Sequence, residues 1–182
     1  MKRKTLHIFP TLAVFCMFFT SCFKDVDFSE AENIMLTPDI KVSIIEYQLG
    51  EVDFVDSGSG DFTTVIQDTV RLEYLDDSYV QDGLMYAEFR FKHENYFNFP
   101  IQSKISFLSE EKNSQFQVNY TIPAGNESSP AVIDTLHIMS GEKIVKVRRS
   151  IDMAIELQIP QDPKSLDGAL DFSSRGLYRF EF

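Results

Sequence analysis

Met85-Tyr86-Ala87-Glu88-Phe89-Arg90-Phe91-Lys92 alternates without a break: Met85, Ala87, Phe89 and Phe91 fall on one face, and Tyr86, Glu88, Arg90 and Lys92 on the other. A period of two is the repeat of an extended chain, so this stretch is a β-strand with one face buried and one in water. The same reading extends in both directions. Val70, Leu72 and Tyr74 form one apolar row; Phe97, Phe99, Ile101, Ile105 and Phe107 form another, with Pro100 marking an edge or bulge. Phe116, Val118, Tyr120 and Ile122 follow, then Ile151, Met153, Ile155, Leu157 and Ile159, and finally Tyr178, Phe180 and Phe182.

Two weaker runs complete the set. Ile40 to Leu49 changes apolar phase at Ile44-Ile45, as a β-bulge requires, and Val132 to Ile138 alternates less cleanly. About eight strands result, separated by turn-formers at Asp56 to Asp61, Asp76-Asp77-Ser78, Glu110 to Ser114 and Pro123 to Pro130. Gly141 to Arg149 fits a short helical turn or a twisted crossover equally well. No long amphipathic helix interrupts the strands, so the apolar faces of two antiparallel sheets must cover each other. The expected fold is an all-β, antiparallel two-sheet β-sandwich, immunoglobulin-like in architecture, spanning residues 39–182. The Cys-Trp-Cys signature of true immunoglobulin domains is absent, because the chain has no tryptophan, and its 17 phenylalanines supply the core bulk. The closing aromatics up to Phe182 also resemble the end of an outer-membrane barrel, but acidic turns, Pro100 and the irregular 141–149 stretch disfavour exposure to lipid.

Residues 1–21 have the parts of a secretory leader: Lys2, Arg3 and Lys4, then an apolar stretch from Leu6 to Phe19 too short to span a bilayer as a helix. Phe19-Thr20-Ser21-Cys22 resembles the bacterial lipobox, with Phe19 where leucine is usual. The resemblance implies cleavage before Cys22 and acylation of its thiol. Residues 22–38 read as an acidic tether. Its Lys24-Asp25 and Asp27 resemble the signal that sends some Bacteroidetes lipoproteins to the outer face of the outer membrane, and a generic acidic spacer fits them as well, so the location expected is the cell envelope, lipid-anchored at the outer membrane and either periplasmic or surface-facing.

Loss of the leader leaves 14 basic residues against 28 acidic, a net charge of −14. Phosphate backbones and anionic headgroups repel such a surface, so no nucleic-acid partner is expected, and membrane contact comes through the N-terminal lipid. Cys16 departs with the leader and Cys22 is acylated, so the mature domain has no thiol for a disulfide, metal or nucleophile.

Motifs that carry chemistry are sparse. His93 and His137 stand outside any metal-ligand spacing and are read as polar-face residues; no nucleophile elbow, phosphate loop or cofactor fingerprint occurs, and Gly58-Ser59-Gly60 is a flexible loop. Asp53, Asp56 and Asp61, and Asp76, Asp77 and Asp82, are acidic enough for calcium but lack its loop order, so they are read as solvated turns with no metal. Neither a catalytic residue nor a cofactor is assigned. Lys143, Lys146, Arg148 and Arg149 form the one basic cluster of the mature sequence and are the residues expected to meet an acidic partner or glycan. Asp68-Thr69-Val70 and Asp134-Thr135-Leu136 resemble the O-glycosylation triplet of exported Bacteroidetes proteins.

Cys22-Phe-Lys-Asp-Val-Asp-Phe28, Leu36-Thr-Pro-Asp-Ile40, Leu75-Asp-Asp-Ser-Tyr-Val-Gln-Asp-Gly-Leu84 and Ser174-Arg-Gly-Leu-Tyr-Arg-Phe-Glu-Phe182 together resemble small lipoproteins of flavobacterial (Bacteroidetes) type. The resemblance implies location and fold, and one functional residue, Cys22. Two function classes follow. One is a lipid-anchored envelope binding or structural module that contacts another envelope protein or a glycan and is not an enzyme. The alternative is an envelope glycan hydrolase working through paired carboxylates.

Overall fold

A computed structural model describes residues 35–182 apart from residues 57 and 164. The leader, Cys22 and most of the tether lie outside the described residues. Eight strands form: β1 Asp39–Leu49, β2 Val65–Arg71, β3 Leu84–Asn95, β4 Ile101–Leu108, β5 Ser114–Ile122, β6 Ala131–Ser140, β7 Asp152–Gln158 and β8 Leu170–Phe180. Two short helices, α1 (Ser78–Gly83) and α2 (Ile144–Arg148), lie in connections. Strand order is β1-β8-β3-β6 in sheet I and β2-β7-β4-β5 in sheet II, with every pairing antiparallel.

The expected sandwich is present, and its connectivity is more specific than the architecture. Only β4 to β5 is a hairpin within a sheet; every other connection carries the chain from one sheet to the other. The first and last strands are neighbours. This is the eight-strand, double Greek-key order of a jelly roll, whereas immunoglobulin sheets hold ABED and CFG. Gly141–Lys143 and α2 form the helical turn that makes one of these crossings, burying Ile144 and Val147.

The apolar faces meet as the alternation requires except at Met85, which is exposed, because β3 shifts register against β8 between Leu84 and Tyr86 and Leu84 takes the buried position instead. Ala87, Phe89 and Phe91 of β3, Ile105 and Phe107 of β4, Met153 and Ile155 of β7, and Phe172 and Tyr178 of β8 are buried. Phe89 packs on Phe107 at 4.5 Å between ring centroids, and Phe107 stacks on Phe116 at 4.0 Å. Each fully buried phenylalanine contributes about 1.5–3 kcal/mol relative to exposure.

β1 breaks register between Ser43 and Ile45, the bulge its sequence announces. Three boundaries differ from expectation. β2 runs from Val65 to Arg71, and the chain then bends: Leu72 donates to the Ile151 carbonyl at 2.7 Å, while Leu72 and Leu75 are buried at the end of the sandwich. Phe97 and Phe99 lie in the β3–β4 connection, held by Asn95, whose amide donates to the carbonyls of Phe99 (2.9 Å) and Pro123 (2.7 Å). β8 begins at Leu170, eight residues before the aromatic run that signals it. Ser174 and Gly176 dilute its inner row, and at Gly176 a Cβ would lie 2.4 Å from the Tyr178 ring, which fills that space.

The closing aromatics belong to this domain. Tyr178 and Phe180 are buried, and the Phe182 ring stacks on Tyr79 at 4.8 Å. Phe182 also exchanges backbone hydrogen bonds with Leu36 (2.9 and 3.0 Å), so the chain joins the fold at Leu36 and both ends of the domain meet.

Candidate functional site on the outer face of sheet I

The outward residues of β1, β8, β3 and β6 line up in rows across sheet I. One row holds Asp39, Arg179, Tyr86 and Ser140; another, in the middle, holds Ser43, Arg175, Arg90 and Leu136; beyond it lie Glu46, Ser173, Lys92 and Asp134. Most charges on this face are spent locally. Arg179 grips Asp39 through two nitrogens (2.8 and 3.1 Å), Arg90 grips Asp134 likewise (2.7 and 2.6 Å), and Lys92 pairs with Glu94. These cations hold the carboxyls of Asp39, Asp134 and Glu94 below the usual range.

Arg175 is different. It is exposed on β8 directly opposite Arg90, and among the described residues no carboxylate reaches it. Like charges opposed across a sheet are destabilising, so the pair breaks a local rule of sheet construction. Asp134 offsets the charge on Arg90 and leaves that on Arg175. Three adjoining depressions meet at Arg175, of about 220, 540 and 590 Å³. Lys92 and Ser173 border the first two, and Lys41 and Ser43 the third. The same depressions are also lined by Asp134, by Glu46, Glu94 and Asp171, and by Glu88, and Lys92 is held by Glu94, so the uncommitted donors that an anionic group could use here are those of Arg175 and the hydroxyls of Ser43 and Ser173.

The basic cluster read from the sequence lies elsewhere, around α2. Lys143, Lys146 and Arg149 repeat every three residues and are exposed, which places them along one side of the turn. Arg148 is turned inward: its Nε donates to the Leu84 carbonyl at 2.9 Å and ties α2 to the start of β3. Arg149 borders a depression of about 300 Å³ shared with Glu110 and Glu111. The structure thus separates Arg148 from the other three.

The acidic turns are occupied by their own backbone. Asp53 accepts from Gly50 N (2.8 Å), Asp56 from the N–H groups of Gly58 and Ser59 (2.9 and 2.8 Å), and Asp77 from Tyr79 N and Val80 N. Asp76 is gripped by Arg71 through two nitrogens (2.7 and 2.6 Å). Each therefore has a named turn, cap or ion-pair role.

Both histidines point inward, contrary to a polar-face reading. His93 is fully buried on β3, with Nε2 3.1 Å from the Ser103 hydroxyl and Nδ1 without a hydrogen-bond partner; burial lowers its pKa to about 4. His137 Nε2 lies 2.5 Å from the Tyr120 hydroxyl, which also lies 2.8 Å from Thr135 Oγ1. The two glycosylation-like triplets differ accordingly: Thr69 is exposed on the edge strand β2, while the Thr135 hydroxyl is engaged between the sheets.

On the opposite margin, Ile45, Tyr47 and Leu49 of β1 face Ile66, Ile155 and Leu157 of sheet II across an apolar cleft of about 490 Å³. The Tyr47 hydroxyl is buried there without a partner, and burial raises its pKa.

No protein-family model matches the chain, and no curated protein matches it. Among solved structures, it is similar to the enzymatically active domain of tailspike protein 4 of bacteriophage CBA120, at 14% identity and a TM-score of 0.39, covering 79% of this chain and 19% of that one. A putative secreted protein from Parabacteroides distasonis aligns at 12% identity and a TM-score of 0.41, over 63% of this chain and 37% of that one. The VP2 subviral particle of infectious bursal disease virus aligns at 6% identity and a TM-score of 0.43, over 79% and 32%. The chain thus spans between about a fifth and two fifths of these proteins' lengths.

Arg175 was missed in the sequence because it is a lone cation in Ser173-Ser174-Arg175-Gly176, with none of the clustering that draws attention to residues 143–149. Strand pairing puts it beside Arg90, which is 85 positions away.

Proposed function

We propose that this chain is a lipid-anchored binding module of the cell envelope, tethered through acylated Cys22, whose sheet I face holds an anionic group of an envelope glycan at Arg175. The observation that carries the reading is the arginine pair itself: Arg90 and Arg175 are opposed across two strands, and a carboxylate of the same chain accompanies only Arg90. An anionic ligand would relieve that repulsion, and the uncommitted donors of Arg175 would supply charge-assisted hydrogen bonds.

The surrounding charge supports an anionic glycan over nucleic acid. A mature chain of net −14 repels a long phosphate backbone, whereas a polymer with sparse acidic groups can place one at Arg175 and meet the hydroxyls of Ser43 and Ser173 with its own. The hydrolase reading requires a carboxyl held protonated as general acid. What weighs against it on this face is that the cation-bound carboxyls of Asp39, Glu94 and Asp134 are pushed the other way.

Calorimetric titration with a polyuronate and with a neutral glucan tests the proposal. The polyuronate should bind, weaken as salt rises, and lose at least about tenfold in affinity in Arg175→Gln, with the neutral glucan much weaker. Equal binding of both polymers, or an Arg175→Gln variant that binds as the parent does, would show that Arg175 is not the site.

A further inference from the structure

The two lateral margins of the sandwich are defended very differently. On one side the outermost strands are β1 and β2. β1 carries Asp39, Lys41 and Glu46 and a bulge, while β2 is only 7 residues long and carries Asp68 and Arg71. Charges, bulges and shortness are the means by which sheet edges avoid pairing with other chains. On the other side the outermost strands are β5 and β6, of 9 and 10 residues. β5 has no charged residue, and the one carboxylate of β6, Asp134, is held by Arg90. No register shift interrupts the pairing of β6 with β3.

β6 also presents an apolar row to water. Val132, Leu136 and Ile138 are 51%, 53% and 49% exposed on the outer face of sheet I. Beneath it, Tyr120 of β5 is bonded to Thr135 and His137 of β6, which holds the two outermost strands at a set spacing. Among the described residues nothing pairs with the outer edge of β6.

We infer that β6 is a self-association edge, at which two copies of this chain pair antiparallel and continue sheet I across a two-fold axis. The occupant is a second copy because the strand complements itself. A two-fold axis normal to the sheet keeps outer faces on the same side, so opposed residues must have the same parity. With His137 opposite its own counterpart, Leu136 faces the partner's Ile138, Ile138 faces the partner's Leu136, and Asp134 faces the partner's Ser140. Leu136 and Ile138 then cover one another and the two Asp134 carboxylates stay apart, while Val132 lies beyond the paired stretch. Centring on Leu136 instead sets Asp134 against Ile138. The low charge of this margin matters too, since elsewhere two copies of so acidic a chain repel each other.

Sedimentation of the full chain in detergent, over a concentration series, tests the inference. A monomer–dimer equilibrium is expected, shifted toward monomer by at least about tenfold in Leu136→Lys and in Ile138→Glu. An equimolar mixture of those two variants should recover the dimer, because the register sets Lys against Glu. Val52→Lys, at a side chain 79% exposed in the β1–β2 connection, should leave the equilibrium unchanged. A monomer at every concentration, a dimer indifferent to both substitutions, or a mixture that stays monomeric would overturn the inference. So would slow hydrogen exchange of the β6 edge amides in the dilute monomer, which would assign that edge to another segment of the same chain.

Discussion

His93 lies in phase with Phe89 and Phe91, so the alternation that reveals β3 also carries an imidazole into the core. Its pH behaviour follows from that burial. Above its ordinary value of 6.5 the ring is neutral in both folded and unfolded chains, and the proton balance is even. Between pH 6.5 and about 4 the unfolded chain takes up a proton that the folded ring, with its lowered pKa, refuses. Stability therefore falls with pH through that window, by up to about 3 kcal/mol from this residue alone. Urea midpoints measured from pH 7 to pH 4 should drop more steeply in the parent than in His93→Phe; parallel slopes would refute the assignment. Arg175 is the converse case, a residue whose neighbours in sequence say nothing and whose neighbour across the sheet says most. Its role depends on Arg90, and no local pattern relates the two.

At the scale of elements, legibility followed the continuity of each strand's inner apolar row. β3 and β7 lie inside their sheets, and their inner rows are long apolar alternations, so both were readable. β2 is an edge strand whose Gln67-Asp68-Thr69 centre meets water, and its apolar row is too broken to show period two. β8 was hidden by Ser174, whose hydroxyl accepts from Ile45 N at the β1 bulge, and by Gly176, whose side-chain space the Tyr178 ring fills. Helix α1 was legible only as a turn, because 6 residues are too few to display a helical period. Its start, however, rests on a local signal: the Asp77 carboxylate accepts from Tyr79 N at 2.8 Å and Val80 N at 3.2 Å. Asp77→Ala should cost about 1 kcal/mol in thermal denaturation, with Asp77→Asn largely sparing it. An Asp77→Ala variant that melts with the parent would remove the cap from the account.

For the whole molecule, Leu36 closes the described domain by pairing with Phe182. On the proposed lipid anchoring, replacement of Cys22 with Ala should release a chain that partitions into the aqueous phase on detergent phase separation and unfolds in the same cooperative transition as the parent. A variant that aggregates, or loses that transition, would show that residue 22 contributes to folding and would remove the proposed role as an anchor alone.

The amino-acid sequence alone determined that the chain is all-β, that two apolar sheet faces must cover each other, where β1 bulges, and that the surface is acidic. Each of these follows from local periodicity or from composition, which neighbours along the chain settle between themselves. The jelly-roll order, the burial of His93 and the inward turn of His137, the opposition of Arg90 and Arg175, and the contrast between the two margins were decided by tertiary structure. These depend on which strands lie side by side, and pairing is settled by how whole faces pack, a property that no single segment carries.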